Sequence, residues 1–334
     1  MHPDRLISSA RRVALVFVTT GIGACGGGGG GGSSAAPADL AVIDAGNAES
    51  IVREVLSAGF DSSEVAGGGE ILAANGGSSA LVVHMAGRRT IQAAGQAVSG
   101  QVQPSANYGP DREDCLVSGT NTFSASLASL DTLTPGDHFT AVYEACDDGD
   151  GTVYNGQLRI DVRSFTGDLF ADLYRLDGRF TFTNLAITED GITETSNGTL
   201  NVDMNLLTPD LESDIITLTR FALSSGNTDW TFHDVVSNVE DDHRGNAWLT
   251  TLSESGSLAS SNFEGRIDYG TLTPFQSVDG DYPTTGVLRI DGANGASVVA
   301  TALNEENLQL AIDWNGDSVV DETRLMAWST VPGW

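Results

Sequence analysis

The chain has 334 residues, of which 45 are acidic and 16 basic, giving a formal net charge of −29 and a sequence pI of about 4.1. A surface so negative excludes a nucleic-acid partner, which needs a basic face for its phosphates. All 16 basic residues are Arg, so a Walker A lysine, a Schiff-base lysine and a kinase-type ATP lysine are excluded too, while 40% hydrophobic residues are ample for a folded core.

Residues 1–12 are polar and carry Arg5, Arg11 and Arg12, and an apolar run from Val13 to Val18 continues through small residues to Ala24. That is the layout of a signal peptide, here residues 1–24. The run of about a dozen residues falls short of the roughly 20 that a membrane-spanning helix requires. It ends in Ile22-Gly23-Ala24-Cys25, which resembles the lipobox of bacterial lipoproteins, in which cleavage exposes the Cys for acylation. The resemblance implies that Cys25 is the lipidation site, with palmitate-like chains anchoring the protein. In those lipoproteins Asp directly after the Cys favours the inner membrane; Gly26 here implies sorting to the outer membrane.

Residues 25–38 follow as the acylated Cys and a tether, seven glycines from Gly26 to Gly32 and then Ser33-Ser-Ala-Ala-Pro-Ala38. This composition has nothing to bury and an r.m.s. reach of roughly 20 Å. Loss of residues 1–24 removes Asp4 and three Arg, leaving 44 acidic and 13 basic residues and a charge of −31. That sign excludes a polybasic membrane-surface role. Salt or divalent cations relieve such crowding of carboxylates, and adaptation to a salty habitat is the alternative reading of the charge.

Residues 39–105 are expected to form a small, partly helical segment. Asn47 precedes Ile51, Val52, Val55 and Leu56, and Gly59 lies just beyond, which predicts a short amphipathic helix with an Asn cap and a Gly stop. A second helix is expected over residues 80–97 through Leu81, Met85, Ile91 and Ala94, interrupted by Gly87 and Arg88-Arg89.

Residues 106–334 are expected to form an antiparallel β domain, because from Cys115 onward the apolar period becomes two. Leu158, Ile160 and Val162 alternate with Arg159, Asp161 and Arg163; Leu200, Val202 and Met204 alternate with Asn201, Asp203 and Asn205; Leu308, Leu310, Ile312 and Trp314 repeat the pattern. Turn dipeptides are expected at Asp177-Gly178, Asp190-Gly191, Asn294-Gly295 and Asn315-Gly316. The fold class is therefore mainly β, an antiparallel meander forming a sandwich or barrel, with a short helical N-terminal segment. A phrase recurs at Asn155-Gly-Gln-Leu-Arg-Ile-Asp161, Asn197-Gly-Thr-Leu-Asn-Val-Asp203 and Gly286-Val-Leu-Arg-Ile-Asp291. It marks either a degenerate repeat near 43 residues or a glycine that opens a strand after a turn.

With Cys25 acylated, Cys115 and Cys146 remain, and an even count in an exported chain points to one disulfide. Asp313-Trp-Asn315-Gly-Asp317-Ser-Val-Val-Asp321 resembles the Ca2+ loops of DxNGDGxxD type found in extracellular repeat domains. The resemblance implies that Asp313, Asn315, Asp317 and Asp321 would ligate Ca2+ in the weak extracellular class; Ser318 departs from the usual Gly, and Arg324 at the twelfth position rules out an EF-hand. The alternative is a plain turn with solvated acids. His84, His138, His233 and His243 have no metal-ligand spacing, and no Gly-x-Ser-x-Gly elbow occurs, so no catalytic residue is assigned. Trp230, Trp248, Trp314 and Trp328 are candidates for a sugar-stacking platform or, alternatively, for core.

The order of lipobox, poly-Gly tether, Asn47-Ala-Glu-Ser helix, Cys115-Leu-Val-Ser-Gly-Thr, Leu133-Thr-Pro-Gly-Asp137, Cys146 and Asn155-Gly is similar to a group of proteobacterial outer-membrane lipoproteins with poly-Gly tethers, themselves mostly uncharacterised. The resemblance implies an address on the periplasmic or cell-surface side of the outer membrane, a disulfide and a β fold. The expected partners are the lipid bilayer through acylated Cys25 and an envelope protein or glycan. The expected role is a non-enzymatic structural or interaction module, with Ca2+ the one cofactor in view; a tethered hydrolase or carbohydrate-binding protein is the alternative.

Overall fold

The computed structural model describes residues 39–64 and 106–331 apart from residues 130–131, 148, 150, 169–172, 190, 209, 244–246 and 280, with backbone alone at 59–64, 106 and 207. The signal peptide, Cys25, the tether and the helix expected over residues 80–97 lie outside the described residues. Among the described residues one α-helix, α1 (Ala48–Glu64), precedes fourteen strands: β1 (Ala106–Asp114), β2 (Ser118–Leu127), β3 (His138–Asp147), β4 (Thr152–Asp168), β5 (Leu173–Glu189), β6 (Ile192–Thr208) and β7 (Leu211–Ser225), then β8 (Thr228–Asp242), β9 (Leu249–Ser260), β10 (Ile267–Val278), β11 (Thr285–Asp291), β12 (Ser297–Ala302), β13 (Asn307–Asp313) and β14 (Glu322–Ala327).

Every strand pairs antiparallel with its neighbours in sequence, so the spatial order is the chain order, β1 through β14. The expected meander is present. All fourteen strands share one sheet, and among the described residues its two end strands do not pair, so the sheet is not closed. Period-two alternation puts one face inside: Leu158, Ile160 and Val162 are 0–3% exposed, and the opposed rows Phe139, Ile160, Phe180 and Leu200 carry that apolar face from strand to strand. The face is buried by curling. In a flat sheet four strand steps separate β10 from β14 by about 19 Å, yet the ring of Trp328, just after β14, lies 6.1 Å from that of Phe275 on β10.

The helix lies on this inner face, against β8, β9 and β12. Ile51, Val52, Val55 and Leu56 are all 0–2% exposed, the stripe expected from their spacing. Ahead of it, Asn47 tightens the entry turn: its Oδ1 accepts from the Asp44 N–H at 2.8 Å, its Nδ2 donates to the Val42 carbonyl at 2.8 Å, and its own N–H reaches Asp44 Oδ1 at 3.0 Å. Gly59 does not end the helix, which runs five residues further to Glu64. The Glu54 carboxylate fastens α1 to the sheet, accepting from Trp230 Nε1 at 2.7 Å, from Ser260 Oγ at 3.1 Å and from Asn262 Nδ2.

The recurring Asn-Gly phrase proves to be a bending device rather than a structural repeat or the first residue of a strand. Asn155-Gly156 and Asn197-Gly198 sit inside β4 and β6, opposite bulges on the preceding strands. At those bulges Ala145 and Asn184 hold left-handed backbone, with φ of 49° and 47°. The Asn side chain of the next strand captures the displaced amide: Ala145 N–H donates to Asn155 Oδ1 at 2.8 Å and Asn184 N–H to Asn197 Oδ1 at 2.7 Å. A Cβ on Gly156 would fall 2.0 Å from the Asn184 carbonyl oxygen, so the close approach demands glycine. Asp234 on β8 (φ 49°) opposite Gly256 on β9 repeats the arrangement without the Asn. Bulges of this kind raise local twist and bend long strands, which lets a single sheet wrap its own apolar face.

Strand β1 lies ahead of Cys115, where the period of two begins, in a stretch, Ala-Asn-Tyr-Gly-Pro-Asp-Arg-Glu-Asp, that has no alternation to detect. One turn differs from expectation. Asp177-Gly178 is not a turn: it lies within β5, where the Phe180 ring packs 3.2 Å from the place a Gly178 Cβ would occupy, while the true hairpin follows at Gly191.

Candidate functional site

The loop between β13 and β14 brings Asp313, Asn315, Asp317 and Asp321 into one short segment, each fastened to loop donors. Asp313, 7% exposed, accepts from Gly316 N–H at 2.7 Å and Ser318 N–H at 2.8 Å. Asn315 Oδ1 accepts from Asp317 N–H at 2.9 Å and Asp317 Oδ1 from Val319 N–H at 2.8 Å, while Asp321 receives Trp314 N–H and Asn315 Nδ2, both at 3.0 Å. Ser318, at the position where the calcium-loop pattern has Gly, takes φ 67°. Among the described residues no three acidic, His or Cys side chains form a group that could hold a metal ion. The loop is thus a nest of side-chain-to-backbone turns.

Cys115, just after β1, and Cys146 on β3 form a disulfide with Cα atoms 5.4 Å apart. It ties the outermost strand to the third, and in the chain-entropy view a loop of this length contributes about 3–4 kcal/mol. The Leu133-Thr-Pro-Gly-Asp137 phrase lies between these cysteines, in the β2–β3 connection. Asp137 is 2% exposed and accepts from Ala128 N–H and Thr134 N–H, both at 2.7 Å, so the buried carboxylate organises the connection.

Among the described residues the histidines do not assemble a hydrolytic site. His233 on β8 faces Ser257 on β9, which in turn faces Asp268 on β10, so a Ser, a His and an Asp occupy one row of the outer face. The bonding order is wrong for nucleophile activation: Ser257 Oγ donates to Asp268 Oδ1 at 2.6 Å, and His233 Nε2 has no hydrogen-bond partner. Burial, with Arg220 adding to it, holds the His233 imidazole below its ordinary pKa despite Asp234. His243 packs on Trp248 with ring centroids 3.4 Å apart, His138 stands on β3 opposite Asp161, and His84 lies outside the described residues. Nor do the tryptophans share a platform: Trp230 is tied to Glu54, and Trp328 is fully buried and stacked on Tyr282 at 6.2 Å.

Three carboxyl groups are buried at inward positions of the sheet, Asp214 on β7 at 1% exposed, Asp241 on β8 and Glu254 on β9. Glu254 on β9, 6% exposed, accepts from the Tyr269 hydroxyl, and burial followed by the Glu254 charge pushes that phenol well above its usual range. Beside them is a cavity of about 20 Å3 lined by Val55, Leu56, Leu252, Glu254, Tyr269 and Phe275, room for one water rather than a substrate. Asp241 on β8, 7% exposed, accepts from Thr250 Oγ1 at 2.5 Å; burial raises its pKa, with that hydrogen bond and His243 opposing. All three acids occupy inward positions of the alternation, the signal that points to Asp214 and Glu254, while Asp241 also stands out in the sequence as a residue able to orient the His243 imidazole.

The outer face carries paired charges, along one strand at Arg159–Asp161 (2.6 Å) and Arg289–Asp291 (2.7 Å) and across two strands at Arg175–Asp203 (2.6 Å). These pairs are substantially exposed, so they hold a wet surface together without deciding stability. No protein-family model matches the chain, and neither a curated protein nor a solved structure is similar to it.

Proposed function

We propose that this chain is a lipid-anchored, non-enzymatic structural or interaction module of the bacterial cell envelope, held at the outer membrane by acylated Cys25 and spaced from it by the tether of residues 26–38. The observation that carries the reading is the succession of basic start, apolar run, Ile22-Gly23-Ala24-Cys25 and seven glycines. The Cys115–Cys146 disulfide supports it, since such bonds persist in oxidising compartments outside the cytoplasm. The polar outer face of the sheet is that of a body that works in water, attached through its chain end rather than through its surface. The rival reading, a tethered hydrolase or carbohydrate-binding protein, finds no support in the Ser257–Asp268 bond or in the scattered tryptophans. A weak Ca2+ site in the loop from Asp313 to Asp321 belongs to the proposal, supported by three carboxylates and one amide, Asp313, Asn315, Asp317 and Asp321, within nine residues.

The test is palmitate labelling and envelope fractionation of the parent and of Cys25→Ser. Label and membrane association are expected in the parent, with both lost in the variant. A variant that stays as firmly bound to envelopes as the parent overturns the anchor.

A further inference from the structure

An open sheet has two edges, and here they differ. Strand β1 ends one side with Pro110, which has no amide to donate, a bulge between Tyr108 and Asp111, and four charged residues from Asp111 to Asp114. These are the devices by which natural sheets refuse further strands. Strand β14 has no Pro and no bulge in its register, and its two charged residues, Glu322 and Arg324, are satisfied by each other. Its register with β13, together with the Trp328 N–H to Glu306 carbonyl bond, commits the backbones of Glu322, Arg324 and Met326 to β13. The alternation therefore turns the N–H and C=O groups of Thr323, Leu325 and Ala327 outward. Leu325 is 67% exposed, and Val319 and Val320, just ahead of the strand, are 64% and 53% exposed.

The surroundings specify what fits. Exposed Asp317 and Asp321 stand at one end of the strand, and exposed Glu305 and Glu306, in the turn packed beside Ala327, stand at the other. Arg324 is already paired with Glu322 at 2.6 Å. A second copy would bring two such acidic ends together within a dimer of chains that each carry −29. An extended segment with basic ends and an apolar centre meets the opposite condition: its backbone completes the ladder, its apolar side chains cover Leu325, and its cations reach the flanking carboxylates.

We infer that β14 is a docking edge for an extended, basic-ended polypeptide segment of a partner protein, which joins the sheet as a fifteenth strand. This deepens the reading of the chain as an interaction module and rests on it. The experiment uses the full chain in detergent and the peptide Arg-Arg-Thr-Val-Thr-Val-Thr-Arg-Arg, with a counterpart carrying Glu at the four Arg positions, and reads amide exchange. The basic peptide is expected to slow exchange at Thr323, Leu325 and Ala327 roughly tenfold or more, and the acidic one to leave it unchanged. Leu325→Pro removes an outward amide without touching the β13 ladder and abolishes protection; Leu325→Lys, which keeps the backbone intact, weakens binding roughly tenfold in case the proline variant fails to fold. Equal protection by both peptides, protection confined to β1, no protection at all, or a concentration-dependent dimer that protects these amides without peptide overturns the proposal. Because the readout does not depend on membrane attachment, its failure is distinct from retention of Cys25→Ser in envelopes.

Discussion

Asp241 shows how much a single inward position can carry. The carboxyl is enclosed by the sheet with Thr250 Oγ1 as its hydrogen-bond donor and His243 nearby, and burial outweighs both in raising its pKa. From the ordinary carboxylate value near 4 up to its raised folded value, the native state holds a proton that the unfolded chain has released. Stability contributed by this group is therefore greatest at low pH and falls as pH rises through that window. Asp241→Asn keeps an acceptor for Thr250 and removes the buried charge, so it is expected to raise the thermal midpoint at pH 7 by on the order of a few degrees, with the difference from the parent vanishing below about pH 4. Melting curves of both proteins between pH 3 and 8 check it, the range chosen to bracket the carboxylate values; a lower midpoint for the variant at pH 7 shows that the His243 attraction prevails over burial.

At the scale of elements, side-chain alternation was the legible part of the sequence, because a half-wet sheet imposes period two on every strand that carries it. Leu158 to Val162 and Leu200 to Met204 could be oriented from their spacing, as could the Ile51 to Leu56 stripe of α1. What escaped depended on partners distant in sequence. Asp177-Gly178 has the composition of a turn, but the ring of Phe180 and the pairing with β4 and β6 keep it in a strand. The Asn-Gly phrases were visible as a recurrence, yet their meaning lies in the bulges they face across the sheet. The loop at Asp313 has the residues of a cation loop, and its hydrogen bonds answer to backbone donors that no spacing rule reveals.

The bulge belt makes a graded prediction. Asn197→Ala removes the acceptor of one amide near the sheet surface and is expected to cost about 1 kcal/mol. Gly198→Ala places a Cβ 2.9 Å from both the Arg220 carbonyl oxygen and the Phe221 ring, at φ 135°, where the T-shaped Phe182–Phe221 pair at 5.5 Å covers the glycine. That change is expected to cost about 3 kcal/mol or more, through strain and a displaced aromatic pair. Urea midpoints of the two variants decide the order; equal losses would show that the captured amide, rather than the close approach, sets the bend.

For the whole molecule the dominant quantity is charge. A chain at −29 repels itself over a distance set by the screening length, about 30 Å at 0.01 M salt and about 3 Å at 1 M. Folding concentrates that charge, so raising NaCl across this range is expected to raise the thermal midpoint, and Mg2+ and Ca2+ at equal ionic strength should do so equally if screening is their sole action. A loop that binds Ca2+ breaks this equality. Oxygen donors on a short, adaptable segment suit Ca2+ better than Mg2+, which holds its water and demands near-octahedral geometry. The expected result is therefore an increment with Ca2+ beyond that with Mg2+, reversed by a chelator and absent in Asp317→Ala, whose side chain bonds one loop amide, Val319 N–H, at 2.8 Å. Identical midpoints in the two cations would remove the ion and leave Asp313, Asn315, Asp317 and Asp321 as the internal fastenings of a turn. The charge would then act through screening alone.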